Sequence, residues 1–322
     1  MNHSEGLSAN GKLLLTGEYL ILDGAAGLAL PLIFKQALQI KPSNDNLINW
    51  IATDINGTWF TGKFSTQLFD VVETSDTIVA YRLQKFLQAA SSLNPLQSRF
   101  RNGAVINTTL NFDRFMGLGS SSTLISLIAD LFGTDKYRLH SLVSIGSGYD
   151  VACSGYNHPI MFKKISEDYA VIKPVNFLPP FAENLYFIWQ GKKQDSNEEI
   201  QFYRNLEKRS IQSFVEKITD ITLKIIKVKE LSNFVSLIEL HEEAIASLLR
   251  RKALKSDRFS DFNGCIKSLG AWGGDFILAA CDNDLNYVLD YFGKKGCKTV
   301  YRFEDIVLNE KVIHDDDINI RF

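Results

Sequence analysis

The segment "DRFMGLGSSSTLISLIADLFGTD", Asp113 to Asp135, decides the fold prediction. A glycine turn leads into a run that is apolar nearly all round and that Gly133 closes, which predicts a buried helix. Glycines let a backbone approach an anion, and the free amides and positive dipole end of a helix attract phosphate. The alternative, a serine N-cap on a core helix, explains one serine but not a triplet. The predicted phosphate cradle comprises Gly117, Leu118, Gly119, Ser120, Ser121 and Ser122.

A second glycine-rich stretch, "GLSANGKLLL" from Gly6 to Leu15, starts like the P-loop G-x-x-x-x-G-K-[ST]. Leu13 stands where the P-loop requires a serine or threonine. A polar terminus precedes the lysine and a strand-like run follows it, whereas a P-loop follows a strand and opens a helix. We interpret the match as accidental. Taken alone, Lys12 is either a surface lysine or part of a site built elsewhere.

Two further glycine turns carry candidate functional residues. In "GSGYDVACS", Asp150 could orient and deprotonate a hydroxyl group, or it could cap the next helix. The stretch "LGAWGGDF", Leu269 to Phe276, is either a tight crossing of two backbones or the wall of a phosphate or substrate site.

The remaining pattern predicts an α+β fold. Alternating apolar runs dominate the first third, with two short strands expected around the Thr16–Glu18 turn. "DTIVAYRLQKFLQAASSL" predicts an amphipathic helix, and a long helical tract follows Glu198. The apolar face predicted for the first of these helices comprises Ile78, Val79, Leu83, Phe86 and Leu87. Prolines cluster in "KPVNFLPPF", which places a predicted domain boundary between residues 1–178 and 179–322.

Composition excludes several classes of function. Lysine and arginine number 35 against 37 acidic residues, without a long basic run, so no nucleic-acid partner is expected. The 322-residue chain is 45% hydrophobic and 22% charged, which is ordinary for a soluble protein. We expect no secretory signal and no membrane span, hence a cytoplasmic monomer or homodimer. The four cysteines form no C-x-x-C pair, which argues against zinc.

Taken in order, the four glycine motifs resemble those of the GHMP kinases, which include galactokinase, homoserine kinase, mevalonate kinase and phosphomevalonate kinase. "SANGKLLLTGEYLILDG" resembles their P-G-K and G-E-[HY] motif, "GLGSSSTL" their G-L-G-S-S-A motif, and "GAWGGD" their G-A-G-G-G motif. "IGSGYDVACSGYNHPIMF" is similar to the G-S-G-F-D-V-A stretch of phosphomevalonate kinases. It also resembles a bacterial branch named for a Gly-Tyr-Asp-Ile-Ala signature.

The resemblance implies a two-domain α+β fold with the active site in the inter-domain cleft, and ATP and Mg²⁺ as cofactors. Lys12 and Asp150 take the positions of the family's catalytic lysine and aspartate, expected to pair with each other. The serine triplet would line the triphosphate, with Ser121 as a magnesium ligand. Acceptor contacts are implied for a set on three segments: Glu18, Tyr19, Lys192, Lys193, Gly273 and Gly274. The lysines belong to an expected loop from Lys192 to Asn197.

Three positions depart from the family pattern. Asn10 replaces a proline, and Trp272 replaces a glycine of the third motif, where the chain would approach phosphate less closely. Some family members hold magnesium with a glutamate in the helix before the aspartate. "LHSLVSIGSG" contains no acid, so the sequence identifies no second protein ligand for magnesium.

The function expected from this resemblance is transfer of the ATP γ-phosphoryl group to a small-molecule acceptor. A mevalonate-pathway acid is favoured, with phosphomevalonate ahead of mevalonate. Lys192 and Lys193 could bind its phosphate or carboxylate, although a solvated loop explains them equally well. Two alternatives stay open: an ATP-dependent lyase resembling diphosphomevalonate decarboxylase, and a catalytically inactive binding protein on the same scaffold.

Overall fold

The computed structural model describes residues 5–95, 100–191, 196–206, 211–270 and 274–310. Its strands form two sheets. The first sheet holds β1 (Glu5–Thr16), β2 (Gly27–Pro42), β3 (Leu47–Asp54), β4 (Gly57–Ser65), β5 (Val71–Thr74), β6 (Ala104–Leu110), β7 (Ile160–Lys164) and β8 (Ala170–Pro174). The second holds β9 (Leu185–Trp189), β10 (Cys265–Leu269), β11 (Phe276–Ala280) and β12 (Thr299–Arg302).

The described helices cover the sheets and connect them. In the first half they are α1 (Thr77–Leu93), α2 (Ser120–Phe132), α3 (Lys136–Val143) and α4 (Tyr149–Cys153). In the second half they are α5 (Ser196–Asn205), α6 (Ile211–Lys227), α7 (Leu231–Leu249), α8 (Leu254–Arg258), α9 (Leu285–Lys294) and α10 (Phe303–Ile306). Short 3-10 helices occupy Leu20–Asp23 and Ala182–Asn184. The mixture confirms the predicted combination of helices and strands.

The order of the first sheet is β5-β4-β3-β6-β2-β7-β8, and β1 pairs antiparallel with β2. Strand β3 is buried at every second residue, as its alternating sequence predicts. The second sheet has the order β10-β11-β9-β12, and its central β11 is buried throughout because helices and the first sheet cover it.

Two local predictions were wrong. The stretch after the Gly17 turn forms the 3-10 helix Leu20–Asp23 instead of a second strand. Gly17 has φ 99°, and a Cβ there would lie 2.8 Å from Gly27 Cα, so the chain turns too tightly to continue as a strand. In α1, Ile78 is 75% exposed, because the helical repeat of about 3.6 residues per turn places it on the side opposite Leu87. The buried face is Ala80, Leu83, Phe86, Leu87 and Ala90.

The predicted domain boundary lies between the last strand of the first sheet, ending at Pro174, and the first strand of the second, beginning at Leu185. One hydrophobic cluster nevertheless joins the two halves, since it contains Leu28 of β2, Phe187 of β9 and Ile218 of α6. The division into domains 1–178 and 179–322 therefore stays a prediction. Within the described ranges, no helix is both long and apolar enough to cross a bilayer.

Candidate active site

The loop before α2 has the backbone of an anion cradle. Gly117 and Gly119 adopt left-handed conformations, with φ 79° and 95°, and Gly119 is the N-cap residue. No side chain caps the helix, so the alternative of a serine N-cap was wrong. The amides of the first turn have no partner within an α-helix, and the residues that carry them, Ser120 to Ser122, line a cavity.

Both glycines are required because charged side chains press on the loop from two sides. A Cβ at Gly117 would overlap the carboxylate of Asp275, and one at Gly119 would lie 3.1 Å from Lys12 Cε. Leu118 differs from its neighbours. Its side chain is fully buried in the core, so the prediction that it binds ATP is reduced to its backbone.

Lys12 lies within β1, at a register shift between Asn10 and Lys12. Its amide donates to the Leu118 carbonyl oxygen at 3.0 Å, and its Nζ donates to the Gly117 carbonyl oxygen at 3.3 Å. A Cβ at Gly11 would lie 3.1 Å from the Leu118 oxygen. The Gly-Lys pair therefore packs β1 against the cradle, and the strand that continues to Thr16 rules out a P-loop.

Asp150 lies in the first turn of α4, which begins after Gly148 with φ 84°. It is therefore not the N-cap residue of this helix. One carboxylate oxygen, Oδ1, accepts the Val151 amide at 3.0 Å, and Oδ2 accepts a short hydrogen bond from the Ser122 hydroxyl. The hydroxyl of Ser122 is thus committed to Asp150, whereas Ser121 is exposed to the cavity.

Lys12 and Asp150 are coupled electrostatically and do not touch, since Lys12 Nζ is directed to Gly117 instead of the carboxylate. Burial by itself lowers the pKa of Lys12, but interactions with Tyr149, Asp150 and Asp275 outweigh it and raise the pKa above its usual value. The ammonium group lies 5.7 Å from the centroid of the Tyr149 ring. Burial raises the pKa of Tyr149 to about 12, so this hydroxyl stays protonated at neutral pH.

Two adjoining cavities meet at these residues. The loop cavity is lined by the cradle and by Arg82, His140, Ser144 and Asn197. The turn cavity is lined by Glu18, Tyr19, Ser147, Tyr149, Glu199, Leu269 and Gly270, among others. Both cavities share Lys12, Gly117, Gly146, Asp150, Ile200 and Asp275. A reacting group held between them would contact the lysine and both aspartates.

Glu18, a predicted acceptor contact, lies on the wall of the turn cavity but belongs to a buried ionic cluster. Lys267 of β10 donates to its Oε1, and the same ammonium group lies 3.5 Å from Glu242 Oε1. Burial raises the pKa of Glu18 to about 7, even though Lys267 lowers it. His241 Nε2 accepts the Gly17 amide at 3.0 Å, and burial holds the pKa of His241 well below its usual value.

Tyr19 also lines the turn cavity, and its hydroxyl donates to Glu199 Oε2 at 3.0 Å. Arg251 Nη1 donates to the same oxygen at 3.0 Å. These contacts fasten α5 to the Gly17–Tyr19 turn and to the end of α7. Two residues of α5, Asn197 and Ile200, line the loop cavity, so the predicted Lys192–Asn197 loop already ends in a helix.

Other predicted residues lie elsewhere. Lys192, Lys193, Gly273 and Trp272 fall outside the described residues. Gly274 is buried, its carbonyl oxygen accepts the Gln190 side-chain amide, and it lines neither cavity. Gly270 and Asp275, which are close to Gly274 in the chain, line the turn cavity instead.

Comparison with known proteins identifies the fold. No family model and no curated protein sequence matches the chain. Among solved structures, a Streptococcus pneumoniae phosphomevalonate kinase in complex with phosphomevalonate and AMPPNP matches with a TM-score of 0.69 at 16% identity, over 92% of this chain and 99% of that chain. The chain has the GHMP kinase fold.

Kinases that are named for different substrates share this fold. The Methanococcus jannaschii mevalonate kinase matches with a TM-score of 0.66 at 13% identity, over 96% of this chain and 99% of that chain. A Lactococcus lactis galactokinase complexed with galactose matches with a TM-score of 0.66 at 13% identity, over 95% of this chain and 94% of that chain. These similarities extend over nearly the whole chain, and they do not distinguish one acceptor from another.

Several residues that line the cavities were not predicted from the sequence. Asp275 is the final residue of the quoted "GAWGGD", and its position directly after two glycines was the available signal. Arg82 lies on α1, whose sequence pattern predicts an apolar face and gives no signal for a cavity residue. Glu199 had no local signal, because a glutamate in a polar helix is ordinary. The same holds for Lys267, which lines neither cavity but donates to Glu18.

A third cavity adjoins the loop cavity on the outer side of the cradle. Aromatic and apolar side chains line it together with Arg82, Ser120 and Ser121, and they include Trp50, Trp59, Phe60, Phe86 and Phe115. The guanidinium carbon of Arg114 lies 5.1 Å from the centroid of the Trp59 ring. Trp59 Nε1 is buried without a hydrogen-bond acceptor among the described residues.

The donor set of the loop cavity fits a magnesium ion that is held mainly by phosphates. Within the described part of the chain, no cluster of three or more His, Cys, Asp or Glu side chains could hold a metal. Mg²⁺ needs only one or two carboxylates beside phosphate oxygens and water. The Ser121 hydroxyl and the carboxylates of Asp150 and Asp275 line this cavity and could serve.

Proposed function

We propose that this protein is an ATP-dependent phosphotransferase that transfers the γ-phosphoryl group to a hydroxyl or phosphate group of a small molecule. One observation carries the proposal. Lys12 and Asp150 lie where the two cavities meet, beside a helix N-terminus whose amides have no helical partner. A phosphoryl group bound at the loop and an acceptor bound in the turn cavity would meet between them.

Asp150 is the group that orients the acceptor and takes its proton. Its Oδ2 is held by the Ser122 hydroxyl and its Oδ1 by the Val151 amide, so the carboxylate has a fixed orientation. A fixed carboxylate at hydrogen-bond distance from a hydroxyl can accept its proton as the oxygen attacks. Ser122 acts through Asp150 and is a positioning residue.

Lys12 stabilises the negative charge that develops on the transferred group. Its pKa is raised by the neighbouring acids, so the ammonium group stays charged at neutral pH. The loop amides and the serine hydroxyls bind the phosphates, because phosphoryl transfer depends mostly on positioning and charge stabilisation. Magnesium, held by Ser121 and an aspartate, would neutralise phosphate charge.

The third cavity, which is lined by aromatic side chains, supports a purine nucleotide as the phosphoryl donor. It shares Ser120 and Ser121 with the phosphate cradle, so a base and its phosphates would occupy adjoining cavities. The Trp59 indole could donate to a ring nitrogen of the base.

The sequence favours phosphomevalonate as the acceptor, and the fold is shared with a phosphomevalonate kinase. The cations required by that choice, Lys192 and Lys193, lie outside the described residues. We therefore propose the kinase activity first and treat the acceptor as a separate question.

A screen of ADP formation tests the proposal. Purified protein with Mg-ATP would be incubated with mevalonate, phosphomevalonate, homoserine, galactose and ethanolamine. We expect one of these acceptors to raise ADP formation well above ATP hydrolysis alone, and Asp150→Asn to abolish the increase. Release of carbon dioxide from diphosphomevalonate would indicate a lyase. ATP binding with no stimulation by any acceptor would indicate a binding protein.

A further inference from the structure

The charges that line the two cavities differ. Of the described residues, the loop cavity presents Lys12 and Arg82 together with Asp150 and Asp275. Among the described residues, the turn cavity presents four carboxylates, of Glu18, Asp150, Glu199 and Asp275, and one cation, Lys12. Of the described side chains that line this cavity and not the loop cavity, Glu18 and Glu199 carry the charges, and both are carboxylates.

One of these carboxylates has an unused hydrogen-bond acceptor. Glu18 is 4% exposed, and Lys267 occupies its Oε1. Its Oε2 is buried and receives no hydrogen bond from any described residue. His241 Nε2 lies 3.3 Å from Oε2, but this nitrogen already accepts the Gly17 amide and has no proton to donate. A buried oxygen of this kind requires a donor, which a water molecule or a hydroxyl or ammonium group of a bound molecule can supply.

Glu199 adds a second carboxylate to the wall of the turn cavity. Its Oε2 accepts hydrogen bonds from both the Tyr19 hydroxyl and Arg251. Arg251 and Lys267 hold the two glutamates from behind, since neither cation lines the cavity. The two carboxylates are thus fixed hydrogen-bond acceptors, and the hydroxyl-bearing side chains of Tyr19, Ser147 and Tyr149 line the same cavity.

We infer that the phosphoryl acceptor is an uncharged or cationic alcohol, a polyol or amino alcohol, whose hydroxyl or ammonium groups donate to Glu18 and Glu199. This inference rests on the proposed function. A phosphate or carboxylate next to these side chains would face two glutamates and leave the Glu18 oxygen unpaired, and like charges in contact discriminate strongly against a ligand. The inference reverses the ranking that the sequence favours, which places phosphomevalonate first.

The test compares substrates of different charge in the wild type, and then in variants that lack the negative charge of Glu18 or of Glu199. The value of kcat/KM would be measured for galactose, homoserine, ethanolamine, mevalonate and phosphomevalonate, in the wild type and in Glu18→Gln and Glu199→Gln. We expect galactose or ethanolamine, which carry no carboxylate, to exceed both mevalonate-pathway acids by about 10-fold or more, and a preference for homoserine, which carries one, would contradict the inference. Glu199→Gln should raise KM for that acceptor about 10-fold and leave KM for ATP within about 2-fold.

Glu239→Gln is the matched control, since Glu239 lies on α7 in a partly exposed pair with Lys255, away from both cavities. It should change neither KM. If phosphomevalonate or mevalonate is the best substrate, the inference is wrong and the kinase proposal stands. If no probe stimulates ADP formation, the inference and the proposed function fail together. A Glu199→Gln effect confined to kcat, or shared equally with the Glu239 control, would also contradict it.

Discussion

The site contains two lysine–carboxylate arrangements. One faces the cavities, and the other is buried between the two halves of the chain. Lys12 and Asp150 face the cavities, and each side chain bonds a different neighbour, Gly117 and Ser122. Lys267 and Glu18 contact each other directly, and both are at most 4% exposed. The first pair is linked only through the electric field, so both groups can still bind a substrate. The second is largely committed to holding the structure together.

The difference follows from where each lysine lies. Lys12 is on β1 beside the phosphate cradle, where charge can be matched by an incoming phosphate. Lys267 is on β10 of the other sheet, and it reaches across to the turn after β1. It is one of the direct charged contacts between the two halves. Removal of Lys267 should therefore lower mainly the stability of the fold, and removal of Lys12 should lower mainly the turnover rate.

The largest expected effect is on stability, from Lys267→Met. Loss of the ammonium group leaves Glu18 and Glu242 buried without a cation, and breaking a buried ion pair in this way costs about 3–5 kcal/mol. Urea unfolding followed by circular dichroism would measure it. The double variant Lys267→Met/Glu18→Gln should recover part of the loss, because one uncompensated charge is removed.

Lys255→Met provides the matched control for that experiment. Lys255 pairs with Glu239 at 3.2 Å, with side chains 32% and 45% exposed, so its loss should cost less than about 1 kcal/mol. Equal destabilisation by the two lysine variants would show that the buried cluster is not special.

The next effect is on turnover, from Asp150→Asn and Lys12→Ala. Each should lower kcat by at least about 100-fold, the usual scale for a positioned acid–base group. The affinity for ATP should change less, because the cradle formed by Gly117–Ser122 stays intact. Steady-state kinetics with the acceptor identified by the ADP screen, and calorimetric titration with ATP, would measure both quantities.

Asp130→Asn and Lys63→Ala are controls, since these residues form partly exposed surface pairs with Lys136 and Glu73. Neither should alter kcat. Near-normal turnover in Asp150→Asn would remove Asp150 from the mechanism and, with it, the contrast between the two arrangements.

The smallest effect is a pH dependence of stability that originates in Glu18. Its pKa is raised from 4.5 to about 7, so the folded protein binds this proton more tightly than the unfolded chain does. The stabilisation by the proton is complete below about pH 4.5 and is lost as the pH rises through about 7. The groups that face Glu18 are Lys267, Glu242 and the neutral His241.

The free energy of unfolding of the wild type minus that of Glu18→Gln would be measured from pH 4.5 to 8. We expect it to fall with rising pH, by at most about 1.4 kcal/mol per pH unit, and to level off above about pH 7. A difference that is flat or that increases with pH would show that Lys267 keeps Glu18 ionised throughout, as in an ordinary ion pair.

Much of the site was predictable because its signals are local. The Gly117–Ser122 cradle follows from glycines that supply left-handed backbone before an apolar helix, and Gly133 ends that helix as predicted. The failures are also physical. Ile78 is apolar but lies on the side of α1 opposite Leu87, and Leu118 belongs to the cradle sequence but has its side chain buried in the core. An apolar residue in a local pattern therefore does not by itself show which side chains the core will bury.

The sequence by itself determined the mixed α+β architecture and the glycine turn and helix at Gly117–Ser122. These depend on residues that are close in the chain, where backbone conformation and helix ends act over a few positions. Taken alone, Lys12 and Asp150 also fit structural roles, and their catalytic roles are proposed from the order of the four motifs. Only the tertiary structure decided that Asp275 presses against Gly117, that Ser122 orients Asp150, and that Lys267 binds Glu18. Those contacts join residues from opposite halves of the chain or from separate turns, and they arise because packing two sheets around one core brings distant charges together.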